Sequence, residues 1–211
     1  MNVGYYRAGL VLWLCCMSMA WGEQPPGRVA DSLVMGRPDM PAWTWRRLGP
    51  TAETFKVEIA GFRSEVTSDG HVITMPGQAH AGKAGDPDLP FVAALCPGLR
   101  GFAARVEWNE PVWRDITNVA VAPVGTRILE DVTTNSPTCR TERISSKTVY
   151  GADEFWPQRI ARVEEAWAGT QKIVRVECSP IQYNPVRKIV RYTSVVEGRL
   201  VFEPEKASDI P

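Results

Sequence analysis

Runs in which apolar and polar side chains alternate make up most of the chain after residue 54. Phe55, Val57 and Ile59 fall on one side of such a run, and residues 102–108 repeat the pattern. A period of two is that of a β-strand with one buried face. Two further runs are separated by Asp69-Gly70, a dipeptide that predicts a tight hairpin when it lies between alternating segments. The pattern therefore predicts short antiparallel strands.

The predicted strands cover residues 55–59, 63–68, 71–75, 91–95, 102–108, 115–122, 171–178 and 188–202. In the last of them, one side carries Val190, Tyr192, Val196, Leu200 and Phe202. Short strands separated by proline and glycine turns are typical of sandwiches. The predicted fold class is all-β: an antiparallel β-sandwich, jelly-roll or immunoglobulin-like, with an irregular N-terminal segment. Residues 158–169 fit either a strand or a short helix.

The chain divides into four predicted regions. Residues 1–22 combine Arg7 with an apolar stretch of signal-peptide length and small residues at its end. Residues 23–52, rich in proline, glycine and arginine, are predicted to be irregular. Residues 53–204 form the β-domain, and 205–211 are expected to begin a polar linker toward something larger. A secreted or extracytoplasmic location follows from the signal peptide.

Charge and cysteine content narrow the classes of function. The 24 Lys and Arg residues balance the 24 Asp and Glu residues, without a basic stripe, so nucleic acid is not an expected partner. No membrane contact is expected after signal cleavage, because no second apolar run is long enough. Three cysteines follow the signal segment, which permits one disulfide of undetermined pairing. Cys96 and Cys178 are interpreted as buried apolar residues, and Cys139 as an exposed thiol.

The sequence offers little catalytic chemistry. His71 and His80, with Asp86 and Asp88, could be drawn together as a metal site, but their spacing matches no known ligand pattern. They are interpreted as solvated loop residues, and no metal, cofactor or catalytic residue is predicted. No nucleophile motif surrounds any serine, threonine or cysteine.

Tryptophans suggest two alternatives. A secreted β-sandwich could use them to stack on sugars, but filling of the core is the favoured interpretation, since Trp108 lies on an apolar face. The residues concerned are Trp43, Trp45, Trp108, Trp113, Trp156 and Trp167.

Four segments in a fixed order carry a family resemblance: residues 85–90, 120–123, 149–157 and 172–185. The most specific pieces are Tyr-x-x-x-x-Phe-Trp-Pro and Pro-x-Gln-Tyr-Asn-Pro. Their residues are Tyr150, Phe155, Trp156, Pro157, Pro180, Gln182, Tyr183, Asn184 and Pro185. In this order, over residues 53–204, the chain resembles the N-terminal propeptide domain of gingipain-type (C25) cysteine peptidases.

The resemblance implies a β-sandwich prodomain that assists the folding of a C25 catalytic domain and keeps it latent. The partner would be that catalytic domain, in cis or in trans. The catalytic His and Cys of the family belong to the downstream domain, so this chain is not expected to be an enzyme.

An inhibitory prodomain needs an extended segment that can occupy a substrate cleft. The polar loop 133–147 is the candidate, and Arg140, Arg143 and Lys147 are its long cationic side chains. A guanidinium suits an acidic specificity pocket because it can form a bidentate pair. The alternative is a solvated, variable loop.

A different class of function also fits the sequence: a stand-alone secreted β-sandwich module for adhesion or for binding carbohydrate or protein. The coding sequence after Pro211 would discriminate the two. A C25 catalytic domain there would favour the prodomain, and unrelated genes would favour the binding module.

Overall fold

The computed structural model describes residues 32–37, 39–129 and 139–205. The predicted signal peptide lies outside these residues. The strands are β1 Ser32–Gly36, β2 Ala42–Gly49, β3 Ala52–Glu58, β4 Gly61–Thr67, β5 Gly70–Thr74, β6 His80–Ala81, β7 Leu89–Pro90, β8 Val92–Pro97, β9 Phe102–Trp108, β10 Arg114–Thr117, β11 Thr126–Leu129, β12 Cys139–Glu142, β13 Ala161–Ala168, β14 Gln171–Cys178, β15 Ile181–Asn184, β16 Ile189–Tyr192 and β17 Val195–Pro204. The described helix, α1, is the single turn Lys147–Tyr150.

Antiparallel sheets account for nearly all of this structure. The largest has the order β2-β3-β17-β9, and three-stranded sheets have the orders β13-β14-β8, β1-β4-β5 and β10-β16-β15. Strand pairs β11-β12 and β6-β7 complete the set. The predicted all-β, antiparallel class is confirmed, whereas the jelly-roll or immunoglobulin-like topology stays a prediction.

The apolar faces of the sheets meet in one core. Val57 and Val196 of the four-stranded sheet and Val174 and Val176 of the β13-β14-β8 sheet are fully buried within the same cluster. Many outward positions on these strands are polar, as the alternation predicts, but Leu95 of β8 and Trp167 of β13 are apolar and exposed. No helix in the described residues is long and apolar enough to cross a membrane.

The predicted hairpin at Asp69-Gly70 is confirmed. Strands β4 and β5 pair from Arg63↔Thr74 to Thr67↔Gly70, and Gly70 adopts φ +123°, which a residue with a side chain rarely adopts. The ambiguous segment 158–169 also resolves as a strand, because β13 pairs along its whole length with β14.

The N-terminal segment differs from the prediction. Residues 32–36 and 42–49, expected to be irregular, form β1 and β2. In β2, Trp43 and Trp45 stack with ring centroids 5.6 Å apart, and both pack against Phe55 of β3. Burying these two indoles on one side of the chain requires a strand, although proline and arginine around them obscure the alternation.

The last predicted strand is in fact two. Residues 188–202 break at Thr193 and Ser194, so that β16 joins the β10-β16-β15 sheet and β17 joins the four-stranded sheet. The Thr193 hydroxyl donates to the carbonyl of Val195, and its amide donates to Pro180. The predicted buried side is nevertheless correct, since Val190, Val196, Leu200 and Phe202 are buried and Tyr192 is half-buried.

Candidate functional site

The described part of the predicted inhibitory loop, residues 139–147, begins with a strand. Residues 130–138 lie outside the described residues, but 139–142 form β12, which pairs with β11 from Thr126↔Glu142 to Leu129↔Cys139. We call this pair the β11–β12 ribbon. The polar loop predicted for residues 133–147 thus contains strand β12 at residues 139–142.

The ribbon is set apart from the rest of the fold. Within the described residues, neither of its strands hydrogen-bonds to a third strand. Most of its side chains are exposed, including the large apolar Leu129 at 60%. A two-stranded ribbon without further support is marginally stable in water. Two segments connect the ribbon to the domain, residues 122–125 before β11 and residues 143–146 after β12, and we call them its arms. The position of the ribbon must therefore depend on how these arms join the domain.

Of the three predicted cationic residues, Arg140 lies within the ribbon. It is exposed on β12, where its register partner is Ile128 of β11. Lys147 lies beyond the ribbon as the first residue of α1, and it is exposed as well. The structure thus places these two cations in different elements.

Arg143 has a different environment, just after β12. Its Nη1 atom donates to Oδ2 of Asp88 at 2.9 Å and to the carbonyl of Pro123 at 2.5 Å. Burial tends to raise the pKa of Asp88, but hydrogen bonds from His80 and Arg143 outweigh it and hold that pKa below its ordinary value. Asp88 is therefore ionised at neutral pH and retains Arg143 inside the domain.

The residues sketched as a possible metal site do not form one group. His80 Nδ1 donates to Asp88 Oδ1 at 2.5 Å, whereas His71 is buried with Nδ1 2.9 Å from Ser64 Oγ. Asp86 accepts a hydrogen bond from the Lys83 amide. The interpretation as solvated loop residues is wrong for His71 and Asp88, which are 7% and 8% exposed. Among the described residues, no three His, Cys, Asp or Glu side chains cluster as a metal site.

The two family motifs pack against each other. Trp156 and Tyr183 exchange backbone hydrogen bonds of 2.8 Å, and the Trp156-Pro157 peptide is cis. Gln182 donates to the Pro157 carbonyl at 2.5 Å, and the rings of Tyr150 and Tyr183 meet edge to face. These contacts connect residues 156–157 to strand β15.

Two further members of the motifs hold charged neighbours. The ring of Phe155 lies 3.8 Å from the guanidinium carbon of Arg191, which also covers Trp113 at 4.5 Å. Asn184 donates to Asp153 at 2.8 Å, and Asp153 also accepts from Arg187. Pro180 and Pro185 are buried beside these contacts. The motif residues therefore take part in a packed unit of polar and aromatic side chains.

The tryptophans do not share one environment. Trp43, Trp45, Trp113 and Trp156 are half-buried against the core, as the core-packing interpretation requires. Trp108 and Trp167 are 38% and 56% exposed. The apolar face assigned to Trp108 does not bury it, because it lies at the end of edge strand β9.

The three described cysteines are unpaired. Cys178 is buried and Cys139 is exposed, as predicted, and Cys96 is half-buried. Burial raises the pKa of Cys96 to about 11 and that of Cys178 to about 12, so both are thiols of low reactivity at neutral pH.

Sequence reasoning missed the pairing of Asp88 with Arg143. The two residues are separated by 55 positions, and no local pattern connects them. The only signal was that Asp88 falls within the first family segment and Arg143 within the predicted loop.

Comparison with known proteins agrees with the resemblance. The family model Propeptide_C25 matches residues 35–208. No curated protein sequence matches the chain at a significant level.

Solved structures share the fold. One, from work on the zymogenic latency of gingipain K from Porphyromonas gingivalis, aligns with a TM-score of 0.64 at 15% identity and covers 82% of this chain and 100% of that chain. The complex of the RgpB pro- and mature domains from P. gingivalis aligns with a TM-score of 0.62 at 19% identity, covering 78% of this chain and 85% of that chain.

Proposed function

The chain belongs to the family of C25 propeptides, which are non-catalytic regions of cysteine peptidases, and on that premise we propose that it assists the folding of a C25 catalytic domain and keeps it latent. Its fold is that of the pro-domain in the RgpB complex and of the chain solved in work on gingipain K latency. The partner is a C25 catalytic domain, in cis or in trans. Residues 1–22 carry the protein out of the cytoplasm.

The observation that supports latency most directly is the β11–β12 ribbon. An exposed two-stranded projection from a packed domain can enter a cleft without disturbing the core. Its extended backbone resembles a bound peptide substrate, and unpaired strand edges readily pair with another chain.

Arg140 is the residue that we propose for the specificity pocket. It lies on β12 within the ribbon and is exposed. Arg143 follows β12 and is paired with Asp88 at the root of the ribbon. A guanidinium can pair bidentately with a carboxylate in the pocket. Lys147, at the start of α1, is the third cation of the predicted loop, and we assign it no place in the pocket.

Titration of C25 catalytic domains tests the proposal. The full chain is added to the C25 catalytic domains of its source organism, with the mature domain of RgpB as a reference enzyme, and peptidase activity and binding are measured. We expect the wild type to inhibit. For Arg140→Ala we expect the inhibition constant to rise by about 30-fold, which corresponds to the loss of ~2 kcal/mol at an interface hot spot.

Arg127→Ala is the matched control, because Arg127 is exposed on the other strand of the same ribbon. Equal losses in both variants would assign the effect to ribbon charge rather than to a pocket residue. Unchanged inhibition in Arg140→Ala, Arg143→Ala and Lys147→Ala would remove these residues from the site. Absence of binding to every C25 catalytic domain tested would overturn the latency proposal.

Folding assistance has a separate test. The C25 catalytic domain is refolded from denaturant with and without the chain, and recovered activity is measured after the propeptide is removed. A higher yield with the chain is expected, and an equal yield would contradict this part of the proposal.

A further inference from the structure

The two arms of the β11–β12 ribbon meet the domain at residues 85–88. The backbone amide of Gly85 donates to the carbonyl of Val124, and the Val124 amide donates to the carbonyl of Asp86. The Asp88 amide donates to the carbonyl of Ala122. These bonds attach the arm that leads into β11. On the other side, Ser146 donates to Gly85, which attaches the arm that leaves β12. The short segment 85–88 therefore joins both arms.

Glycines permit this close approach. Gly85 has φ +92°, and a Cβ there would lie 2.8 Å from the carbonyl oxygen of Ile144. A Cβ on Gly125 would lie 2.4 Å from the side chain of Thr141. A side chain at either glycine would therefore collide with residues on the β12 side of the ribbon.

A side-chain bridge crosses the same place. Arg143 extends from the arm after β12 and donates both to Oδ2 of Asp88 and to the carbonyl of Pro123 on the arm before β11. It thereby connects three chain segments through one guanidinium. His80 donates to the other oxygen of Asp88 and fixes the plane of the carboxylate.

This bridge differs from the surface ion pairs of the domain. The side chains of Asp88 and Arg143 are 11% and 21% exposed, whereas those of Asp153 and Arg187 are 50% and 58% exposed. Removing one partner of a buried pair leaves an uncompensated charge, while an exposed pair contributes little. The Asp88–Arg143 pair is thus a largely buried side-chain contact at the root of the ribbon, and its loss should be costly.

We propose that Asp88 and Arg143 form an anchor that sets the direction in which the β11–β12 ribbon projects, which makes both of them positioning residues for inhibition of the peptidase. The inference rests on the proposed function, because it assumes that the ribbon is the inhibitory element. Neither residue contacts the peptidase in this arrangement; each acts through the ribbon. A mobile ribbon binds a cleft more weakly, since it must be ordered on binding.

The test uses the full chain and the variants Asp88→Asn, Arg143→Gln and the double substitution. Inhibition constants are measured on a C25 catalytic domain of the source organism, and amide hydrogen exchange is measured on the free protein. We expect each single variant to weaken inhibition by about tenfold, a usual size for coupling between linked sites. The double variant should inhibit about as well as either single variant, because each substitution already breaks the same Asp88–Arg143 pair. Exchange should accelerate in residues 126–129 and 139–142 and stay unchanged in β14.

Two controls separate positioning from general stability. Asp153→Asn removes a carboxylate that pairs with Arg187 and Asn184, neither of which belongs to the ribbon or its arms, and it should leave inhibition unchanged. Arg143→Lys keeps a cation near Asp88 and should restore part of the inhibition lost in Arg143→Gln. Where Asp88→Asn fails to fold, Asp88→Glu and Arg143→Lys carry the comparison.

The outcomes distinguish the two proposals. If the wild type inhibits and the anchor variants inhibit equally well, the anchor is wrong and the proposed function stands. An equal loss in Asp153→Asn would also overturn the anchor. If the wild type neither binds nor inhibits, the proposed function fails, and hydrogen exchange of the ribbon still decides whether Asp88 and Arg143 hold it. Unchanged ribbon exchange in the variants would then overturn the anchor independently.

Discussion

Lys172 of β14 lies with its ammonium 2.6 Å from a carboxylate oxygen of Glu205, just beyond β17, and 3.0 Å from one of Glu165 on β13. The same nitrogen donates to the carbonyl of Phe102. Burial lowers the pKa of Lys172, but the hydrogen bonds and charges of Glu205 and Glu165 outweigh it and raise that pKa above its ordinary value. One buried ammonium therefore joins the β13-β14-β8 sheet to the end of the four-stranded sheet.

Loss of this contact should destabilise the domain. We expect Lys172→Met to lower the free energy of unfolding by about 2 kcal/mol, less than for a fully buried pair because both carboxylates keep some solvent contact. Urea unfolding at neutral pH measures the change. Lys56→Met is the control: Lys56 pairs with Glu58 at 2.7 Å on the exposed surface, and its loss should have little effect. Similar losses of stability in the two variants would contradict a stabilising role for the contact of Lys172 with Glu205 and Glu165.

Two glycines in the four-stranded sheet should respond differently to alanine. A Cβ on Gly198 of β17 would lie 2.5 Å from Phe55 Cζ and 2.6 Å from the Glu107 carbonyl oxygen, whereas nothing lies within 4 Å of a Cβ on Gly49. Gly198→Ala should therefore cost about 1–3 kcal/mol by overpacking. Gly49→Ala should be close to neutral. Thermal and urea unfolding check the difference, and equal stability of the two variants would refute the crowding at Gly198.

Acid should destabilise the domain through His71. Burial lowers the pKa of His71, so the unfolded chain takes up a proton at higher pH than the folded one. The stability that His71 contributes is present above its unfolded pKa of about 6.5 and is lost as the pH falls from there toward the folded value. Unfolding free energies at several pH values between 8 and 5 should decline more steeply for the wild type than for His71→Asn. Identical slopes would show that His71 is not the responsible group.

The cysteines should react with thiol reagents at very different rates. Cys139 is exposed on the ribbon, whereas burial raises the pKa of Cys178 to about 12. Cys139→Ser should lower the number of rapidly labelled thiols in the native chain by one, and Cys178→Ser should leave it unchanged. Rapid labelling that survives in Cys139→Ser to the same extent would place the reactive thiol elsewhere.

Local patterns predicted the elements whose signals are contained in a few neighbouring residues. The Asp69-Gly70 hairpin and the buried sides of β3, β14 and β17 follow directly from alternation and turn chemistry. The motif segments ending at Pro157 and Pro185 likewise indicate the C25 propeptide family.

Elements that depend on distant partners were predicted less well. Strand β2 exists because Trp43 and Trp45 pack on Phe55, and the break at Thr193 exists because the strands on either side join different sheets. Neither partner is visible in the local pattern. Residues 139–142 of the predicted loop form a strand, because β12 pairs with β11.

The sequence by itself determined the all-β class, the alternation that buries one side of each strand, and the family, since each of these is written in residues close together along the chain. Only the tertiary structure decided which strands pair and which charges meet. Asp88 and Arg143 are 55 positions apart, and Lys172 and Glu205 are 33 apart. An apolar face is stabilised by burial against any apolar neighbour. An ion pair or a strand register requires one particular partner, and only the folded chain brings that partner into contact.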